Sequence, residues 1–157
     1  NHINLLKAFN LIQKKIKNIN LVLVGVNKNC LIDVKIEIDK LNLSKKVFIL
    51  GYVSQKASTS HDIIKSMSTQ MVNAYKVLLK VSPDIMVVLG DRYDIHSIVT
   101  CANVLNIPVA HFHGGEITVG AMDDNFRHSV TKMSHLHFVT TKKSSQNLIK
   151  IGIIACQ

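Results

Sequence analysis

Ile85-Met86-Val87-Val88-Leu89 is an unbroken apolar run that stops at Gly90-Asp91-Arg92-Tyr93-Asp94. The same grammar returns at Ile107-Pro108-Val109-Ala110-His111-Phe112, which stops at His113-Gly114-Gly115-Glu116. A short apolar run bounded by turn residues reads as a fully buried strand, and strands of that kind build parallel sheets. In an open parallel α/β sheet, ligands bind at the carboxyl ends of the strands. Twice, then, a strand delivers a carboxylate beside glycine to the place where a site is expected.

The rest of the chain supplies the helices such a sheet needs. Residues 3–17 place Ile3, Leu6, Phe9, Ile12 and Ile16 at spacings of three and four, which predicts an amphipathic helix. Leu21-Val22-Leu23-Val24 is a strand closed by Gly25, residues 31–42 are helical by period, and Val47-Phe48-Ile49-Leu50 is a strand closed by Gly51. The polar, small-residue stretch from Ser54 to Ser60 is the best loop or joint. From His61 to Val81, Ile64, Met67, Met71, Ala74, Val77 and Leu78 define a long helix that closes before Pro83. Helices follow at about 95–105, 124–134 and 144–151, with a further strand at 136–139. Helices alternating with apolar strands predict an α/β fold, a Rossmann-like parallel sheet with helices on both faces.

Composition narrows the function. At 157 residues, 47% hydrophobic and 18% charged, the chain has the size and make-up of one globular domain. Its longest apolar run falls far short of the ~20 residues a bilayer span needs, and no signal-peptide pattern opens it, so no membrane partner is expected. Cys30, Cys101 and Cys156 are widely spaced, with no CxxC pair. They read as reduced thiols of a cytoplasmic protein, neither zinc site nor disulfide frame. The net charge of +9 is spread over scattered lysines, with aromatic content of only 5%. That pattern argues against a nucleic-acid partner. A positive field that attracts an anionic small substrate, such as a nucleotide diphosphate, explains the charge; so does a general preference for Lys, Asn and Ile.

Three segments carry candidate chemistry. Asp91 is either a helix cap or a site carboxylate. Arg92 beside it favours the site, since a guanidinium binds carboxylate or phosphate bidentately. Asp94, standing just before the helix expected from Ile95, is the better cap. In His113-Gly114-Gly115-Glu116 the paired glycines permit close backbone approach or positive φ. A glutamate held there in a cleft would have its pKa raised towards neutrality and act as acid or base; the alternative is a plain Gly-Gly turn with a solvent-facing Glu. In Asp123-Asp124-Asn125-Phe126-Arg127-His128, Asp123 and Arg127 are four apart and share a helix face if the first turn extends to Asp123, while adjacent aspartates also suit a helix start. His111, His113, His128, His135 and His137 cluster in sequence. No two of them share a helix with an acid in a metal-binding spacing, so no metal is expected, and His135 and His137 read as structural.

From about Ser58 to Gly152 these motifs resemble the hydrolysing UDP-N-acetylglucosamine 2-epimerases, particularly the sialic-acid-pathway branch. The pieces that carry the resemblance are Lys65-Ser66-Met67, Pro83 through Tyr93, Ile107-Pro108-Val109-Ala110-His111, His113-Gly114-Gly115-Glu116, Asp123 through Ser129, and Thr131 through Phe138. The resemblance implies a GT-B plan, two Rossmann-like domains with the active site in the cleft between them. It implies elimination of UDP across C1 and C2 of the sugar, then water addition with inversion at C2 to release N-acetylmannosamine. By position it implies Asp91, Glu116 and Asp123 as catalytic carboxylates. Arg92, His113, Gly114, Gly115, Arg127 and His128 fall to substrate binding, and no cofactor is implied. Other branches of the superfamily carry their glutamate where this chain has His113.

Residues 4–54 read differently. Asn4-Leu5-Leu6-Lys7-Ala8-Phe9, Leu21 through Gly25 and Val47 through Ser54 resemble the nucleotide-sugar-binding half of a retaining GT-B glycosyltransferase. The chain is thus expected to divide into a glycosyltransferase-like βα segment, 1–54, and an epimerase-like portion, 55–157, with the second GT-B domain missing. A genuine fusion, a degraded gene and an assembly artefact all fit that junction. The expected partner is a UDP-sugar, either the N-acetylglucosamine or the diacetylated bacillosamine type. Little turnover is expected of the chain by itself, and homo-oligomerisation is left open. The alternatives are a non-catalytic sugar-nucleotide-binding domain and a glycosyltransferase.

Overall fold

A computed structural model describes residues 2–24, 28–50, 59–90, 92–117 and 122–153. The chain divides into two compact units, Asn1–Lys56 and Ala57–Gln157.

The first unit runs α1 (His2–Ile12), β1 (Leu21–Val24), α2 (Lys28–Lys40), β2 (Val47–Leu50). The two strands pair in parallel, Leu21 opposite Val47. Leu6 and Phe9 of α1, Leu23 of β1, Val34 and Ile38 of α2, then Leu43 and Val47 form its buried core. The periodicity predicts helix to residue 17, yet α1 ends at Ile12. Ile16 finds no core there and stays exposed. The turn then closes at Asn18 with φ 62°, a conformation asparagine tolerates better than most residues. Without apolar burial, a lysine-rich turn has little to offset the entropy of ordering it.

The second unit runs α3 (Ser60–Val81), β3 (Met86–Leu89), α4 (Tyr93–Val104), β4 (Val109–Phe112), α5 (Met122–Met133), β5 (Leu136–Phe138), α6 (Lys142–Lys150). The long helix starts as capping chemistry demands. The Thr59 hydroxyl accepts from the Asp62 N–H at 3.1 Å, while Asp62 Oδ2 accepts from the Thr59 N–H at 3.1 Å, a reciprocal box. It stops at Ser82, left-handed at φ 43°, whose N–H donates to the Leu78 carbonyl, just ahead of Pro83. Strands β3, β4 and β5 lie side by side, all parallel. α4 packs on β3 and β4, and α5 packs on β4. Beneath those helices Val88, Val99, Ala102, Ile107, Val109 and Val130 are buried together.

Strand residues alternate between faces. Val88, Val109 and His111 are buried, whereas Val87, Leu89, Phe112, Leu136 and Phe138 stand exposed, with Phe112 and Phe138 stacked at 4.5 Å. The expectation of parallel α/β architecture holds in both units. What positions the site is the carboxyl edge of β3–β4–β5, where the β3–α4, β4–α5 and β5–α6 connections emerge.

Candidate active site

The β4 exit is the best-defined part. His113 continues the ladder one residue past β4, its N–H donating to the Phe138 carbonyl at 3.0 Å, with φ at 66°. Gly114 follows because nothing larger fits easily: a Cβ would lie 3.2 Å from both His111 Nδ1 and Thr131 Oγ1. Gly115 has φ 75°, and a Cβ there would collide with the Ser144 carbonyl in the first turn of α6. Asn147 of α6 donates to the Gly115 carbonyl at 2.9 Å. The glycine pair therefore serves docking of the β4 loop against α6.

That docking brings Thr140 to Glu116. Glu116 Oε1 accepts from the Thr140 hydroxyl at 2.7 Å and lies 3.0 Å from His113 Nδ1. A raised carboxyl pKa is expected from the sequence; the structure gives the reverse. The Thr140 hydroxyl foremost, with His113 and the charge of Arg127 adding, holds the Glu116 carboxyl below the usual range, because donors stabilise the ionised form. Its side chain is 36% exposed, so no closed apolar cleft among the described residues opposes them.

Behind this loop His111 is a buried pillar. It is 0% exposed. Its Nε2 stands 2.9 Å from the Gly90 carbonyl, and its Nδ1 stands 3.3 Å from the Thr131 hydroxyl. A carbonyl only accepts, so Nε2 carries the proton and the ring ties the end of β3 to β4 and α5. Its neighbour across the ladder is His137, whose pKa burial pushes down. His135 Nδ1 accepts from the Val109 N–H at 3.3 Å.

At the β3 exit, Asp91 lies outside the described residues. Arg92, not Asp94, occupies the cap position of α4, and it makes no side-chain cap bond. Asp94 falls inside the first turn instead, its Oδ1 accepting from the Ile95 N–H at 3.1 Å and standing 3.6 Å from Arg92 Nε. The helix begins two residues earlier than the apolar period shows because Tyr93 is itself buried. The Tyr93 hydroxyl, the Asp94 charge and, more weakly, Asp123 all favour the charged Arg92 guanidinium.

α5 supplies the third set. Its first turn does include Asp123, and Arg127 Nη1 lies 3.6 Å from Asp124. Asp124 also holds His128 Nε2 at 3.4 Å. Arg127 is 6% exposed. Asp123 adds only a weak favourable charge at Arg92. α4 and α5 are joined nearby by His96, whose Nε2 meets the Ser129 hydroxyl at 3.1 Å. Among the described residues no three His, Cys, Asp or Glu side chains form a group fit to hold a metal.

Sequence reasoning therefore missed Thr140, Asp124 and the pillar role of His111. Thr140-Thr141 before a helix is a capping signal, and Thr141 does cap α6 by accepting from the Ser144 N–H at 3.0 Å. Nothing in the sequence says that Thr140 turns to a glutamate 24 residues upstream.

Carboxylates, guanidinium groups and imidazoles gathered at the carboxyl edge of a parallel sheet define an α/β protein with a candidate polar site at its strand ends. A family model described as UDP-N-acetylglucosamine 2-epimerase matches residues 10–155. The chain belongs to the UDP-N-acetylglucosamine 2-epimerase family. It is 39% identical over 117 residues to a GDP/UDP-N,N'-diacetylbacillosamine 2-epimerase (hydrolyzing) from Campylobacter jejuni, a match that covers 74% of this chain and 29% of that protein. It is likewise 39% identical over 118 residues to polysialic acid biosynthesis protein P7 of Escherichia coli, over 74% of this chain and 29% of that one. Among solved structures, the Neisseria meningitidis UDP-GlcNAc 2-epimerase bound to UDP-GlcNAc superposes with a TM-score of 0.73 at 20% identity, covering 98% of this chain and 40% of that chain. That likeness establishes the fold. The chain thus spans under a third of the length of those two curated relatives.

Proposed function

We propose that this chain carries one wall of a hydrolysing 2-epimerase site acting on a UDP-sugar, with UDP eliminated and water then added across C1=C2, hydroxyl to C1 and proton to C2 with inversion there. The observation that supports it is the convergence of Arg92, His113, Glu116, Asp123, Asp124, Arg127 and His128 on one sheet edge of a chain in this family. Arg92 and Arg127 suit phosphate, since guanidinium groups meet phosphate oxygens in bidentate geometry. Glu116 and Asp123 supply the carboxylates, with Asp91 retained as the third. Free thiols at Cys30 and Cys101 support a cytoplasmic setting.

The test is incubation of the purified chain with UDP-N-acetylglucosamine and with the diacetylbacillosamine nucleotide, reading UDP release, alongside calorimetry. Binding with little turnover is the expected result for the chain by itself. No binding of either nucleotide sugar would remove the reading. A second reading, sugar transfer to an acceptor, rests on the glycosyltransferase-like motifs of residues 4–54; transfer without free N-acetylmannosamine would favour it.

A further inference from the structure

The His113–Glu116–Thr140 arrangement assigns protons. An ionised carboxylate oxygen can only accept hydrogen bonds. Glu116 Oε1 receives the Thr140 hydroxyl at 2.7 Å, so the His113 Nδ1 that stands 3.0 Å from the same atom must bear a hydrogen. A neutral imidazole protonated at Nδ1 has its lone pair on Nε2. Among the described residues nothing bonds that Nε2, and the His113 side chain is 46% exposed. The backbone beneath it is fixed: its N–H is held by Phe138, and the glycines after it are wedged against His111, Thr131 and Ser144.

We propose that His113 presents an unprotonated Nε2 as the proton acceptor of this site, with Glu116 and Thr140 as its positioning residues. The proposal rests on the 2-epimerase reading above and deepens it. The C2–H bond of the sugar breaks, and its electron pair forms the C1=C2 double bond. The C1–O bond to UDP breaks with its pair leaving on UDP, and the C2 proton passes to Nε2. The resulting imidazolium is balanced by Glu116, the division of labour of a carboxylate that orients a histidine base.

Nitrogen-15 NMR of the imidazoles in the whole chain, recorded at alkaline pH, tests this without requiring turnover. Wild-type protein should show about a tenfold excess of the Nδ1–H form, the worth of one charge-assisted hydrogen bond. Glu116→Ala should abolish the excess, Thr140→Val should reduce it, and Thr140→Ser should restore it. An Nε2–H tautomer in the wild type, or an unchanged tautomer in Glu116→Ala, would overturn the proposal. If calorimetry shows UDP-N-acetylglucosamine bound while the Nε2 resonance stays still, the acceptor role is likewise overturned. If no nucleotide sugar binds, the epimerase reading fails, and the tautomer alone still decides the pairing.

Discussion

Two carboxylate–imidazole pairs stand at the same sheet edge, and they are built in opposite ways. Asp124 and His128 lie four residues apart on α5 at 3.4 Å, with Arg127 added three residues on. Helical periodicity brings them together regardless of what surrounds the helix. His113 and Glu116 lie three apart in a turn, where no regular period enforces contact. Their pairing depends on left-handed backbone at His113 and Gly115 and on Thr140 arriving from the β5–α6 connection. The helical pair is local; the turn pair is a tertiary product. Damage to the docking of α6 should therefore dissolve one and spare the other.

Gly115→Ala strikes that difference hardest. A Cβ at φ 75° must displace the Ser144 backbone, and strain plus overpacking are together worth about 4 kcal/mol. Denaturant unfolding should show that loss. In whatever fraction stays folded, the Glu116 carbon resonance should return towards its ordinary titration while Asp124 and His128 keep their contact. Asp124→Ala makes the converse cut. It leaves Arg127, at 6% exposed, without this carboxylate, for a loss of about 2 kcal/mol. That is below the usual figure for a buried pair because Asp124 keeps some solvent. Here the His113 tautomer should not change; a change would mean that the two pairs are coupled.

Acid should erode the shared scaffold before it reaches Glu116. Burial depresses the pKa of His96 and of His137, so the unfolded chain binds those protons more tightly than the folded one. Their stability contribution is complete above the unfolded imidazole value of about 6.5 and is lost as pH falls through that value towards the folded ones. Unfolding free energy measured from pH 8 downward should decline first in that window, and His137→Gln should flatten part of the slope. Glu116, also depressed, gives its contribution above the ordinary carboxylate range and loses it only as pH falls below that range. Thr140→Val is the gentlest change. It should lift the Glu116 pKa towards its ordinary value yet cost no more than about 0.5 kcal/mol, because the pair is solvent-screened.

The same division governs what could be read in advance. The strands Leu21–Val24 and Val47–Leu50 stand where their apolar runs place them. α3 matches its period and its Pro83 stop to within a residue. Spacing also put Asp123, Asp124, Arg127 and His128 on one helix, as α5 does. It misjudged α1, where amphipathic spacing continued past the point at which burial ends, and it took Asp94 for a cap that Arg92 occupies. Asp91 and residues 54–58 of the joint lie outside the described residues, while Thr59 and Ser60 cap and open α3.

By itself, the sequence determined the parallel α/β class, where the strands end, and the membership of the chain in the 2-epimerase family. Each of these follows from short-range periodicity or from ordered motifs. Only the tertiary structure decided the protonation chemistry. Whether Glu116 is a raised acid or a depressed, oriented carboxylate depends on which donor reaches it. That donor is Thr140, brought there by β5 pairing with β4 and by α6 seating on Gly115. A pKa is set by what lies within a few ångströms in space, and neighbours 24 residues apart leave no trace in spacing.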